Sequence, residues 1–228
     1  MKNYVSAAIL ALGITLAGVF VYLGVHQVAM KDRSVIAKGL STRDVKADHV
    51  VWPLMFSVEG NDLNDLHLRM AKANKIITDF LLSKGFESTD LTIGRISIDD
   101  HWIYNYSDSR PTNRYSINST IIVSTNKVDK VLANQGCQVE LLSKGLVVNV
   151  NEWEVNYEFN GLNELKPIMV EEATVNARAV AQKFADDADC KLGSIKKASQ
   201  GQFSIESDSY QPWMKHVRVV TTIDYYLN

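Results

Sequence analysis

The chain has 228 residues, with 24 basic and 26 acidic side chains for a formal charge of −2, 46% hydrophobic residues and two cysteines. That balance excludes an electrostatic nucleic-acid footprint. The length can bury a full core, as one domain or two fused halves, without covalent staples, and Cys137 and Cys190 are too few for a disulfide framework.

The first element is apolar. Val5 to Val25 contains only Ser6, Thr15 and Tyr22 as polar residues, and at 1.5 Å per residue it reaches about 30 Å, enough for one bilayer crossing. Residues 1–30 therefore read as an N-terminal transmembrane signal anchor and residues 31–228 as the folded body. A cleaved signal peptide is the alternative. Its best site, Gln27-Val28-Ala29, has Gln where a small residue belongs, and Leu16-Ala17-Gly18 is followed by Val19 instead of a lipid-bearing cysteine. Lys2 precedes the run and Lys31, Arg33 and Lys38 come after it, a mild bias toward a cytoplasmic body. An ordinary signal anchor exports the domain on its C-terminal side, so charge alone leaves the side open.

Ile36 to Leu40 reads as a brief strand, turned by Ser41 to Asp44. Val45 to Glu59 alternates Val50, Trp52, Leu54, Phe56 and Val58, a half-buried strand in which Pro53 suggests an edge or a bulge. Asn61 or Asp62 can cap a helix carrying Leu63, Leu66, Met70, Ala73, Ile77 and Phe80 on one stripe and ended by Gly85. Leu91 to Ile103 and Arg114 to Ser124 are the next strands, joined by the polar, aromatic loop Tyr104 to Asn113. A shorter helix over Lys127 to Ser143 uses Val128, Leu132, Val139 and Leu142 and is weakened by Gly136. Leu146 to Phe159 is a strand with Trp153, Val155, Tyr157 and Phe159 on one face and Glu152, Glu154, Asn156 and Glu158 on the other. Asn163 then caps the longest helix, with Ala173, Ala177, Val180, Phe184 and Ala188 as its buried stripe. Ile195 to Ile205 and His216 to Leu227 form a closing hairpin, regular enough to tie the terminus into a sheet.

The order strand, helix, strand, strand occurs twice, over Val45 to Ser124 and Leu146 to Leu227. The pattern predicts an α+β body of two pseudo-repeated halves with antiparallel sheets. The hairpin loops Tyr104 to Asn113 and Glu206 to Met214 then occupy equivalent places. Tyr104, Tyr106, Tyr210, Pro212 and Trp213 are the candidate interaction residues. Trp213, at a loop tip, either anchors a partner or packs onto its own domain.

Chemistry is sparse. Asp99 and His101 alone could converge from Asp99-Asp100-His101, because neighbours on a strand point apart. Asp186, Asp187 and Asp189 read as a solvated helix end, and His49, His67, His101 and His216 show no paired metal-ligand spacing. No nucleophile elbow, phosphate-cradling loop or dinucleotide fingerprint occurs, so no catalytic, cofactor-binding or metal residue is assigned. Cys137, with Lys130 and Lys144 on the same helix, and Cys190 are the possible redox residues. They are either separate thiols or, in an oxidising compartment, a pair.

Several segments carry a resemblance. Gly39-Leu40-Ser41, Val45-Lys46-Ala47-Asp48 and Trp52-Pro53-Leu54 resemble the opening of the SIMPL-domain, YggE-like family of bacterial envelope proteins. Phe80-Leu81, Gly85-Phe86, Ala198 to Phe203, Val217-Arg218-Val219 and Asp224 to Leu227 are similar to it as well. The resemblance covers nearly everything after the anchor and implies a periplasmic α+β body, in some members a ring-like homo-oligomer. It also implies association with envelope or oxidative-stress phenotypes and no agreed enzymatic activity. The expectation is a single-pass inner-membrane protein, non-enzymatic, without cofactor, working through self-association or an unknown protein partner. The alternatives are a thiol- or metal-dependent stress enzyme and a soluble periplasmic ligand-binding module after cleavage.

Overall fold

The computed structural model describes residues 2–31, 33–103, 111–149 and 154–228. Their elements run α1 (Lys2–Lys31), β1 (Ser34–Lys46), β2 (His49–Gly60), α2 (Leu63–Ser83), β3 (Leu91–Ile93), β4 (Ser97–Asp100) and β5 (Tyr115–Thr125). Next come α3 (Val128–Asn134), α4 (Gln138–Ser143), β6 (Val148–Asn149), β7 (Asn156–Glu158), α5 (Leu162–Asp187), β8 (Leu192–Gln200), β9 (Ser204–Ser207) and β10 (Met214–Leu227). Every pairing with a described register is antiparallel, so the chain is α+β, as expected.

Helix α1 forms over the apolar run. Its side chains are described for residues 10–24, all of them exposed. Among the described residues no helix is long and apolar enough to cross a membrane.

The chain makes two compact units: Met1–Asp44, Asn163–Glu206 and His216–Asn228 in one, Val45–Leu162 and Ser207–Lys215 in the other. Their long helices give them their names, the α5 unit and the α2 unit.

In the α2 unit the sheet order is β3-β5-β2-β6, with β4 also on β5 and β7 also on β2. Strands β2 and β5 stay in one register from Val50↔Thr125 to Gly60↔Tyr115. The period-2 pattern decides which face is buried: Val50, Trp52, Leu54, Phe56 and Val58 share a core with Leu66, Met70, Ala73, Ile77 and Phe80 of α2. Asp62 caps that helix, its side chain accepting from the N–H groups of Asn64 and Asp65, and Gly85 ends it at φ +86°.

Several expected elements are broken or shifted. The turn placed at Ser41 to Asp44 is continuous strand, and the chain reverses at 47–48 instead. There the Asp48 carboxylate accepts from the N–H groups of Asn160 (2.9 Å) and Gly161 (2.8 Å), holding the reversal. Leu91 to Ile103 splits into β3 and β4, whose registers on β5 differ by one residue across Gly94. The helix expected over Lys127 to Ser143 breaks at 135–137, around Gly136, into α3 and α4. The break shifts the helical phase, so Val128, Val131, Cys137 and Leu141 are buried while Val139 and Leu142 face solvent.

Strand Leu146 to Phe159 splits too, into β6 and β7. Among the described pairings β2 meets β7 over His49–Val51 and β6 at Met55 and Phe56, with Pro53 between those segments and paired to Ile122 of β5. Val155 and Tyr157 are buried and Glu154 and Asn156 exposed, as expected, while Glu152 and Trp153 lie outside the described residues.

The α5 unit has the sheet order β1-β10-β8, with β9 also on β10. This repeats the other unit's β2-β5-β3 arrangement, but the first strand is β1 and not Leu146 to Phe159, whose pieces pair with β2. The pseudo-repeat is therefore interleaved, since most of the α2 unit is inserted between β1 and α5. Helix α5 buries Met169, Ala173, Ala177, Ala181 and Ala185, leaving Val180 and Phe184 exposed, contrary to the expected stripe. Asn163 lies inside its first turn, not at its cap.

The reason for the alanine face is Gly39. A Cβ there would fall inside the van der Waals envelope of the Ala173 carbonyl oxygen and the Ala177 nitrogen, and 2.9 Å from the Ala173 carbonyl carbon. Strand and helix backbones touch, and only small side chains fit between them. Polar ties fix the approach. Ser41 Oγ donates to Glu172 Oε2 at 2.8 Å, Arg43 pairs with the same carboxylate, and Asn176 Nδ2 donates to the Leu40 carbonyl at 2.9 Å. Arg43 and then Ser41 hold the Glu172 carboxyl below its ordinary range. The C-terminus is tied in as expected, with Leu227 N–H on Arg33 O at 3.0 Å and Asn228 N–H on Lys191 O at 2.9 Å.

Candidate interaction loops and thiols

The turn between β9 and β10 is built around Asp208. Its N–H donates to Met214 O at 3.0 Å, and its Oδ1 accepts from the N–H groups of Tyr210 (2.8 Å) and Gln211 (2.7 Å). Met214 N–H returns to Gln211 O at 2.7 Å. An Asx turn of this kind fixes a short loop without secondary structure. It leaves the Tyr210 ring 92% exposed.

Three residues on, the chain dives back. Trp213 is half-buried against the α2-unit core, its ring 6.3 Å from that of Tyr157 at 67°, and its carbonyl accepts from Ala47 N–H at 2.8 Å. Of the two roles open to Trp213, the geometry describes packing onto its own unit. Pro212 between them is half-buried. The loop thus has a core-bound foot, Trp213, and a projecting tip, Tyr210.

Lys215 forms part of the same foot and was missed in the sequence. It is buried, donates to Ser207 Oγ at 2.6 Å, and has its pKa lowered by burial. The signal was present, because Lys215 shares the parity of Val217, Val219 and Thr221, the buried face of β10.

At the other loop, Tyr104 and Tyr106 lie outside the described residues. Its stem is well held. Arg114 donates through Nε (3.0 Å) and Nη2 (2.9 Å) to Asp100 Oδ2, and its guanidinium sits 5.2 Å from the Trp102 ring and 4.8 Å from that of Tyr115. Asn61 accepts from Arg114 N–H at 2.8 Å and donates to Thr112 O at 3.2 Å. The hydrogen bonds from Arg114 hold the Asp100 carboxyl below its ordinary range.

Asp99 accepts from Asn118 Nδ2 at 2.8 Å, and His101 is exposed. Among the described residues no group of three or more His, Cys, Asp or Glu side chains is placed to hold a metal ion. Both cysteines are free thiols, Cys137 in the α2 unit and Cys190 in the α5 unit. Cys137 is 2% exposed, and burial pushes its thiol up to about 11, with Glu140 adding to the effect. A thiol so raised carries little thiolate at neutral pH, the opposite of what a redox sensor needs.

The SIMPL family model, described as a protein of unknown function (DUF541), matches residues 35–221. The chain belongs to the SIMPL family. No curated protein matches it. The geometry shows what several of the residues that carried the resemblance do in this SIMPL chain. Gly39 and Ser41 set the approach of α5, Ala47 binds the Trp213 carbonyl, and Asp48 anchors the β1–β2 reversal. Gly201 stands where a Cβ would come 2.9 Å from the Val220 carbonyl oxygen. Gly39 and Gly201 are constraints of close packing, and Ser41, Ala47 and Asp48 are hydrogen-bonded into the fold.

Proposed function

We propose that this chain is a non-enzymatic protein of the cell envelope, held in the inner membrane by residues 1–30 with its body in the periplasm. In this reading it acts through self-association or a protein partner in an envelope or oxidative-stress response. The supporting observation is the loop Ser207–Lys215, which presents one aromatic tip on a rigid, core-anchored turn. Rigid aromatics on preorganised loops supply contact area at low entropic cost. The tether rests on the apolar run Val5 to Val25, and the periplasmic side on the resemblance to exported SIMPL proteins.

The test is the native mass of the full chain by light scattering, with and without Tyr210→Ala, together with a reporter fused after Asn228. The expected result is a discrete oligomer that the substitution disperses, and a reporter active only on the periplasmic side. An oligomer unchanged by Tyr210→Ala, or a wild-type monomer with no stoichiometric partner, overturns the loop mechanism. A cytoplasmic reporter signal overturns the placement.

A further inference from the structure

A cleft of about 280 Å³ opens in the α2 unit, lined by none of the residues of the Ser207–Lys215 loop. It exists because a strand pairing stops early. β6 meets β2 at Met55↔Asn149 and Phe56↔Val148, and one step further on, at Ser57 and Val58, no pairing is made. Gly145, at φ +80° past the end of α4, turns the chain there, with Leu146 N–H closing onto Leu141 O at 3.1 Å. Helix α2 covers the opening from the other side with Arg69, Lys72, Ala73 and Ile76.

The lining is chemically lopsided. Its charged members are Arg69, Lys72 and Lys144, with no carboxylate among them, in a chain that has more acidic than basic residues. The rest is mainly apolar, including Val58, Ile76, Leu146 and Val147, the last 75% exposed. Arg69 is pre-positioned, its Nη1 donating to Glu59 O at 3.0 Å, with Asp65 Oδ2 at 3.5 Å. The Lys144 ammonium rests over the Phe80 ring at 5.3 Å, and among the described residues Lys72 makes no hydrogen bond or ion pair. Cations beside a low-dielectric apolar wall attract an anion more strongly than cations in open water.

We propose that this cleft binds a small amphipathic anion. Its carboxylate-type head meets Lys72 and Lys144 beside Arg69, and its apolar part lies against Val58, Ile76 and Val147. The volume sits just under the roughly 300–1,000 Å³ typical of small-molecule pockets, which suits a one-ring or short-chain acid. Aryl acids and short fatty acids share this chemistry, so the test carries one of each.

The full chain, in a detergent that keeps it monodisperse, is titrated with 4-phenylbutyrate and with octanoate by equilibrium dialysis, with protein-free detergent as blank. The same-shaped 4-phenylbutanol and 4-phenylbutylamine serve as neutral and cationic controls. The expected result is saturable binding of at least one acid, about tenfold or more tighter than the alcohol, as one added charge-assisted contact would give, and no binding of the amine. Lys72→Gln combined with Lys144→Gln should weaken that acid about tenfold with an unchanged circular dichroism spectrum, and Val147→Trp, which fills the cleft, should abolish binding. The proposal is overturned if neither acid exceeds the blank, if the alcohol or amine binds as well as the acid, or if the double variant binds undiminished. None of these outcomes bears on the Tyr210 test, so the two readings fail separately.

Discussion

Replacing Gly39 with alanine adds one methyl group where two backbones touch. The new Cβ would lie 2.9 Å from the Ala173 carbonyl carbon and closer still to the Ala173 oxygen and the Ala177 nitrogen. None of these is the end of a flexible side chain, so α5 must move off β1, on the order of 1 Å. A gap of that size forfeits roughly a quarter to a half of each dispersion contact along the alanine face. It also loosens Ser41–Glu172 and Asn176–Leu40, each of which contributes about 1 kcal/mol. Overpacking itself costs about 1–3 kcal/mol, so the expected loss is about 3–5 kcal/mol. At roughly 2–4 °C per kcal/mol for a chain of this size, Tm falls by on the order of 10 °C. The assay is thermal melting of the full chain by circular dichroism at the helix band, where α5 contributes 26 residues. Gly136→Ala is the control, because nothing lies within 4 Å of its Cβ position. A Gly39→Ala melting point within about 3 °C of the parent would refute the argument that contact between backbones fixes this helix.

The loop should separate stability from association. Trp213→Ala should cost about 2 kcal/mol, less than the 3–5 kcal/mol of a fully buried aromatic because the ring is half exposed, whereas Tyr210→Ala should stay within about 0.5 kcal/mol. Denaturant melts of the two variants check this, and equal losses would contradict the division into foot and tip. Cys137 should resist iodoacetamide at pH 8 while Cys190 is alkylated, which mass spectrometry of a peptide digest reads directly. Because the folded Cys137 thiol is raised from about 9 to about 11, the unfolded chain loses its proton first as pH rises. Its contribution to stability is therefore whole below pH 9 and lost between about pH 9 and 11. Cys137→Ala should flatten that part of the pH–stability curve. Asp100 has the opposite sign. Its carboxyl is lowered by Arg114, so its contribution is present above about pH 4 and fades as the acid side is crossed, and Asp100→Asn should remove that dependence.

Local periodicity and residues with few conformational choices account for the features that were legible in the chain. The alternation of Val50, Trp52, Leu54, Phe56 and Val58 has only one face to bury, and Asp62 and Gly85 bound α2 by capping chemistry that needs no distant partner. The same alternation set the buried face of β10 from Val217 to Tyr225. Contacts between distant segments settled the rest. Which strand heads the α5 unit depends on β1 and β10 meeting from opposite ends of the chain, a choice that no local pattern encodes. The buried side of α5 followed its narrowest contact and not its most hydrophobic stripe, leaving Phe184 54% exposed while Ala173, Ala177, Ala181 and Ala185 lie inside. The cleft under Arg69, Lys72 and Lys144 was invisible for a related reason. Its residues come from three separate stretches and share a wall because the chain leaving α4 joins β2 only from Val148 onward, with Ser57 and Val58 unpaired on that side. Periodicity fixes which residues of an element point inward, but what lies opposite them depends on backbone approach between segments far apart in the chain.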